Sequence, residues 1–127
     1  MSDMGTFRTT IRIENHLSRG PTVNVPEALV DTGSELTWVP AELLHELGIP
    51  VEYTTRFVTA TGERVERDVG YAIVHAEEAR TSDEVVFAQP GDMTVLGARS
   101  LEGLNLRVDP RNKRLVPAGP ILAGAIG

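Results

Sequence analysis

Phe7, Thr9, Ile11 and Ile13 alternate with Arg8, Thr10 and Arg12, a period-two pattern that predicts a strand with one buried face. Residues 15–21 hold Asn, Ser, Gly and Pro and read as a loop. Residues 23–30 form a second extended run, in which Pro26 argues for an edge or a break. Residues 40–48 read as a short helix: Pro40 suits its first turn, Glu42 its positive end, and Gly48 the left-handed position past its C-terminus. Residues 53–60 and 64–74 are strand-like and meet across Thr61-Gly62, the pattern of a β-hairpin with a glycine turn. Short strands follow at 84–87 and 93–96, around the turn Gln89-Pro90-Gly91-Asp92. A helical segment at 98–104 precedes two strands, 105–108 and 114–116. The class is mainly β, with short strands and two short helices.

One similarity recurs within the chain. Leu44, Leu47, Gly48, Ile49 and Val51 match Leu101, Leu104, Asn105, Leu106 and Val108 at a constant offset of 57. Gly48 and Asn105 are residue types that readily end a helix in the left-handed region. Each copy follows an apolar segment ending at glycine, Leu29 to Gly33 in one and Val95 to Gly97 in the other. An internal duplication is expected, with a longer glycine-to-helix connection in the first copy.

No linker or low-complexity tract divides the 127 residues. They read as a single domain, 1–127, with a core at about 7–117 and a tail at 118–127. There are no cysteines, which excludes disulfides, thiolate nucleophiles and Fe–S clusters. Lys+Arg is 12 against 18 Asp+Glu, a net charge of −6 that lacks the basic footprint of a nucleic-acid binder. No run approaches the ~20 apolar residues of a membrane span, and the first ten residues do not read as a signal peptide, so a cytoplasmic protein without a membrane partner is expected. His16, His45 and His75 fall at no metal-ligand spacing, so no metal is expected. Nucleophile-elbow, phosphate-loop and dinucleotide motifs are absent, and no cofactor is implied.

The sharpest chemistry lies in Asp31-Thr32-Gly33-Ser34, directly after the apolar Ala28-Leu29-Val30. The carboxylate emerges at the edge of a buried region. Gly33 lets backbone amides approach it, and Thr32 offers a hydroxyl to fix loop backbone. As a bare motif it reads first as an ordinary turn after a strand. A lone carboxylate cannot be acid and base at once. Two of them about 3 Å apart share a proton, so that one activates water while the other donates to a substrate carbonyl.

In context the chain resembles the single-lobed, retroviral-like (retropepsin-like) aspartic proteases, in their bacterial-type form. The matching residues are Ala28 to Ser34, Leu36-Thr37-Trp38-Val39-Pro40, Leu43-Leu44-x-x-Leu47-Gly48-Ile49, the second signature Val95-Leu96-Gly97, and Leu104 to Pro110. The resemblance runs from about Phe7 to Pro117 and implies a closed β-barrel or sandwich. It implies Asp31 as the catalytic aspartate, Thr32 as the residue locking two active-site loops across a subunit boundary, and Gly33 as the loop's shaper. Ser34 would bond the carboxylate or, alternatively, local backbone. Gly97 would let an apolar loop cross behind the active-site loop.

The same resemblance makes the hairpin from Phe57 to Val65 a flap over substrate, with Val58, Thr59, Ala60, Thr61 and Gly62 at its tip. A plain hairpin is the other reading, and its charges Arg56, Glu63, Arg64, Glu66, Arg67 and Asp68 read as a solvated face. Trp38 packs near the flap base or simply in the core, and Tyr71 and Phe87 read as core. The implied activity is a homodimeric aspartic endopeptidase acting on a polypeptide at acidic to mildly acidic pH. One Asp-Thr-Gly in a chain of this length leaves room for half an active site. Ile121, Leu122 and Ile126 would bury surface at the dimer interface, or form a frayed tail. The rival class is a dimerisation or peptide-binding module without turnover. A hydrolase using Ser34 lacks a partnered histidine.

Overall fold

The computed structural model describes residues 6–126. Its elements in chain order are β1 (Phe7–Glu14), β2 (Thr22–Val30), β3 (Thr37–Pro40), α1 (Ala41–Glu46), β4 (Tyr53–Val58), β5 (Arg64–Ala76), β6 (Ala79–Ala88), β7 (Val95–Leu96), α2 (Ala98–Leu104), β8 (Leu106–Asp109) and β9 (Arg114–Pro117). Seven strands form one sheet in the order β1-β2-β7-β3-β6-β5-β4, and a further β1–β5 pairing bends it into a ring. Strands β8 and β9 form a separate hairpin. The protein is mainly β, as the alternating pattern predicts. Among the described residues, no helix is long and apolar enough to cross a membrane.

The ring closes because its inward positions are apolar. Ile11, Ile13, Val30, Val39, Phe87 and Leu96 are almost fully removed from water and share one core with Leu44 of α1 and Leu101 and Leu104 of α2. Burying each such side chain is worth roughly 1.5–3 kcal/mol. A smaller cluster of Leu36, Val69 and Val86 underlies Trp38 and Phe57.

Pro26 marks both an edge and a break. Residues 22–28 of β2 have β1 as their one ladder partner, and the register shifts between Thr9 and Ile11 opposite Pro26 and Glu27. Glu27 takes φ +60, and the Arg8 guanidinium donates to its carbonyl at 2.9 Å.

Several expectations need correction. Strand β5 runs to Ala76 and β6 begins at Ala79, where the pattern had suggested strands ending at 74 and resuming at 84. The turn between them is Glu77-Glu78, with Glu77 at φ +52, and it carries none of the usual turn residues. Strand β7 is two residues long, not four, and Met93 before it is exposed. Tyr71 is not core: it stands on the outer face of β5 opposite Glu84, 43% exposed, with the His16 ring edge-on to it.

The 57-residue offset is a symmetry of the sheet. Trp38 pairs antiparallel with Val95, its own counterpart at that offset. The parallel pairs Leu29↔Val95 and Val30↔Leu96 map onto Val86↔Trp38 and Phe87↔Val39. Helices α1 and α2 start at the equivalent Ala41 and Ala98, and Gly48 and Asn105 both adopt positive φ, +73 and +55. A pseudo-two-fold axis therefore passes between Trp38 and Val95. The counterpart of Leu29-Val30 is Val86-Phe87, not Val95-Leu96, so no longer connection in the first copy is needed. The position equivalent to Asp31 is Ala88.

Glu14, buried at the end of β1, is held by three donors. Arg19 Nε lies at 2.7 Å, the Gly20 amide at 2.8 Å, and His75 Nε2 at 2.7 Å. The Arg19 guanidinium above all, then the Gly20 amide and His75, lower its pKa from 4.5 to about 2. The unfolded chain thus binds this proton at higher pH than the folded one, so the interaction stabilises fully above pH 4.5 and is lost as pH falls toward 2. Urea unfolding measured through this range should show stability falling with acid, and Glu14→Gln should flatten that dependence. An unchanged slope in the variant would contradict the assignment.

Candidate active site

Asp31 follows the last residue of β2. Its amide donates to the Leu96 carbonyl at 3.1 Å, which continues the β2–β7 ladder one residue past the strand. The chain then turns sharply, with the Ser34 amide on the Asp31 carbonyl at 3.2 Å. The Gly33 amide donates to Asp31 Oδ1 at 2.8 Å. A Cβ on Gly33 would stand 3.1 Å from that oxygen, so a larger residue there would press the carboxylate a few tenths of an ångström aside. Asp31 is half-buried, whereas Thr32 and Gly33 are exposed at the tip. The Thr32 hydroxyl makes no hydrogen bond among the described residues. A carboxylate is thus fixed by its backbone and by one amide, and presented on an exposed loop.

The Ser34 hydroxyl does not reach this carboxylate. It donates to the Leu36 carbonyl at 2.9 Å and shapes the way out of the turn. Behind the loop lies Gly97, where β7 passes into α2. A Cβ there would fall 2.4 Å from the Leu36 carbonyl oxygen and 2.9 Å from that of Ser34. The next two amides hold the loop: Ala98 N–H donates to Ser34 O at 2.7 Å and Arg99 N–H to Glu35 O at 3.1 Å. Val95, Leu96 and Gly97 thus form the backing of residues 31–36, with Val95 and Leu96 buried below.

Residues 58–62 lie elsewhere, at the end of the β4–β5 hairpin. The tip closes through Thr59 N–H to Glu63 O at 2.8 Å and Gly62 N–H to Thr59 O at 2.9 Å. Gly62 takes φ +87 with nothing within 4 Å of its would-be Cβ, and Val58 is 69% exposed. Trp38 meets Phe57, the next-to-last residue of β4, with ring centroids 5.1 Å apart, and both pack on the cluster of Leu36, Val69 and Val86. Arg67 departs from the solvated face assigned to its neighbours. Its guanidinium grips Asp92 with two bonds of 2.7 and 2.9 Å, both side chains mostly covered, tying β5 to the turn before β7. This pairing lowers the Asp92 pKa and raises that of Arg67. Tyr53 on β4 donates to Glu84, which holds its phenol protonated up to about 12, and Glu84 in turn accepts from Arg99 at 2.6 Å.

Three residues beside the loop had no role assigned from the sequence: Thr37, which lies inside the matched run 36–40, Ser100 and Asp83. Thr37 and Ser100 are completely buried and bonded to one another at 2.6 Å. The histidines lie apart in separate roles, His75 on Glu14, His45 against Phe87 and His16 against Tyr71. Surface clefts of about 560, 480 and 490 Å³ are lined by other residues than 31–34, so the carboxylate sits in none of them.

A carboxylate at the end of a core strand, a glycine pressed on its oxygen and an apolar-apolar-glycine backing make one connected unit. A model of the aspartyl protease family matches residues 19–100, which includes the loop and its backing. No curated protein and no solved structure gives a match. The match covers about two thirds of the chain and agrees with the β-rich, ring-like sheet, and the chain belongs to the retropepsin-like aspartyl proteases, a protease-type domain.

Proposed function

We propose that the protein is an aspartic endopeptidase that works as a homodimer. The observation that carries this reading is the presentation of Asp31: its backbone is fixed at the ring's edge, while Thr32 and Gly33 lie exposed. One chain supplies one such carboxylate. Two copies meeting across a two-fold axis would supply the pair, an isologous contact in which each Thr32 hydroxyl, without a hydrogen bond among the described residues, reaches the other loop. The paired carboxylates share one proton. The ionised member takes a proton from water as that water attacks the scissile carbonyl, and the protonated member donates to the carbonyl oxygen. As the tetrahedral species collapses, the carboxyl that took the water's proton gives it to the leaving amine nitrogen, and the other takes back a proton from the gem-diol hydroxyl, which restores the pair. No covalent intermediate is needed.

An extended polypeptide would lie between the two loops and the β4–β5 hairpins, which act as flaps through Val58, Thr59, Ala60, Thr61 and Gly62. Main-chain hydrogen bonds to the substrate strand supply affinity. Incubating the protein with a denatured protein mixture from acidic to neutral pH, with and without pepstatin, tests the proposal. Pepstatin-sensitive cleavage is expected; peptide binding without any cleavage would overturn it in favour of a binding module.

The dimer surface is assigned to the tail. Ile121, Leu122 and Ile126 are 80, 95 and 80% exposed, while Ala118 N–H and Gly119 O are tied to Asn105 at 2.9 and 2.7 Å. The tail thus leaves the domain from a fixed point with its apolar side chains uncovered. Truncation after Pro117 should yield a folded monomer at low micromolar concentration by sedimentation. A truncated chain that remains dimeric would reject the assignment.

A further inference from the structure

We infer that Thr37, Ser100 and Asp83 form a positioning relay that holds the Asp31 loop in register; the inference rests on the protease reading of Asp31. The three residues come from β3, α2 and β6, which the ring brings together behind the loop. Gly97 N–H donates to Thr37 Oγ1 at 3.0 Å, Thr37 Oγ1 meets Ser100 Oγ at 2.6 Å, and Ser100 Oγ donates to Asp83 Oδ2 at 2.9 Å. An ionised carboxylate only accepts, so the Ser100 proton belongs to Asp83. The Ser100 oxygen is then free to accept, and the Thr37 proton goes to it. The Thr37 oxygen accepts from Gly97. Every proton has one place, and the chain of donors runs in one direction from the Gly97 amide to Asp83. The other Asp83 oxygen is fixed by the Glu84 amide at 2.8 Å.

The end of this chain is the point that backs the loop. Gly97 is pressed on the carbonyls of Leu36 and Ser34, and the following amides hold Ser34 and Glu35. Fixing the Gly97 amide therefore fixes the carbonyls on which the Asp31 turn rests. None of the three side chains touches the Asp31 carboxylate, so they act by position. Misplacing a reacting group by ~1 Å is enough to lower a rate about 10²-fold.

The test uses the full chain and the variants Thr37→Val, Thr37→Ser and Ser100→Ala. Valine keeps the shape of threonine, leaves the buried Gly97 amide unpartnered and removes the donor to Ser100 Oγ, whose own bond to Asp83 remains; serine restores the hydroxyl. Amide hydrogen exchange at Ala98 and Arg99 should quicken at least about tenfold in Thr37→Val, the scale of one lost buried hydrogen bond, while β5–β6 amides stay protected. Thr37→Ser should restore the slow exchange. In the peptidase assay, kcat should fall by a similar factor, with KM within about threefold. Exchange at Ala98 and Arg99 that matches wild type in Thr37→Val, or that Thr37→Ser does not restore, would overturn the relay. Should Thr37→Val fail to fold, Ser100→Ala breaks the same chain one link further on and is read by the same exchange. A wild-type protein without peptidase activity would defeat the protease reading, while the exchange measurement would still decide the relay.

Discussion

On the proposed dyad mechanism, Asp31→Asn should lower peptide cleavage by at least the ~10²–10⁴-fold that general acid–base catalysis contributes, and leave the fold and the proposed dimer in place. Asparagine keeps the side-chain volume and an oxygen to accept from Gly33 N–H, the one hydrogen bond that the carboxylate makes within its loop. The backbone bonds from Asp31 to Leu96 and from Ser34 to Asp31 do not involve the side chain at all. What the variant lacks is a group that can lose a proton to become an anion. Two asparagines facing one another hold water but cannot take a proton from it. The measurement is turnover of a peptide library, beside sedimentation and circular dichroism of the same preparation. Retained hydrolysis by a folded Asp31→Asn dimer would show that the carboxylate is not the reacting group.

Gly97→Ala should be the most damaging change that leaves every polar group in place. The new methyl would sit 2.4 Å from the Leu36 carbonyl oxygen and 2.6 Å from its carbon, and these are backbone atoms that cannot rotate away. Overpacking of this kind costs about 1–3 kcal/mol or more, and the strain falls on the Asp31 loop itself. Both urea stability and kcat should drop. The control is Gly91→Ala in the turn before β7, where the methyl meets open space and the sole penalty is positive φ, about 1 kcal/mol. Equal behaviour of the two variants would mean that Gly97 is not the backing of the loop.

Much of the fold was legible because its signals are local. The alternation of Ile11 and Ile13 with Arg12 fixes a face, the Thr61-Gly62 turn closes a hairpin, and α2 starts and ends where the sequence suggests. The β5–β6 hairpin was hidden because Glu77 adopts positive φ without being glycine or asparagine. The duplication was visible in its helices, where leucine spacing and a left-handed cap repeat. Its strands were misaligned, because Leu29-Val30 and Val86-Phe87 share apolar character and no identity. In the site, Asp31 and Gly97 belong to contiguous motifs. Thr37, Ser100 and Asp83 are ordinary residues far apart in the chain, and their meeting is a product of topology. Arg67 looked like one more surface charge until the turn at Asp92 came beside it.

The pairing of β2 with β7 also sets an order of events. Asp31 finds its backbone partner in Leu96, and its loop finds its supports in Gly97, Ala98 and Arg99, all late in the chain. A polypeptide emerging from its N-terminus can pair β1 with β2 as soon as both are made. It has nothing to place against the Asp31 turn until α2 has been synthesised and has docked. Such long-range contacts form slowly, since a large loop must close before they repay its entropy. During synthesis the Asp31 carboxylate therefore remains an unorganised side chain, and its loop is set only once β7 and α2 have docked behind it.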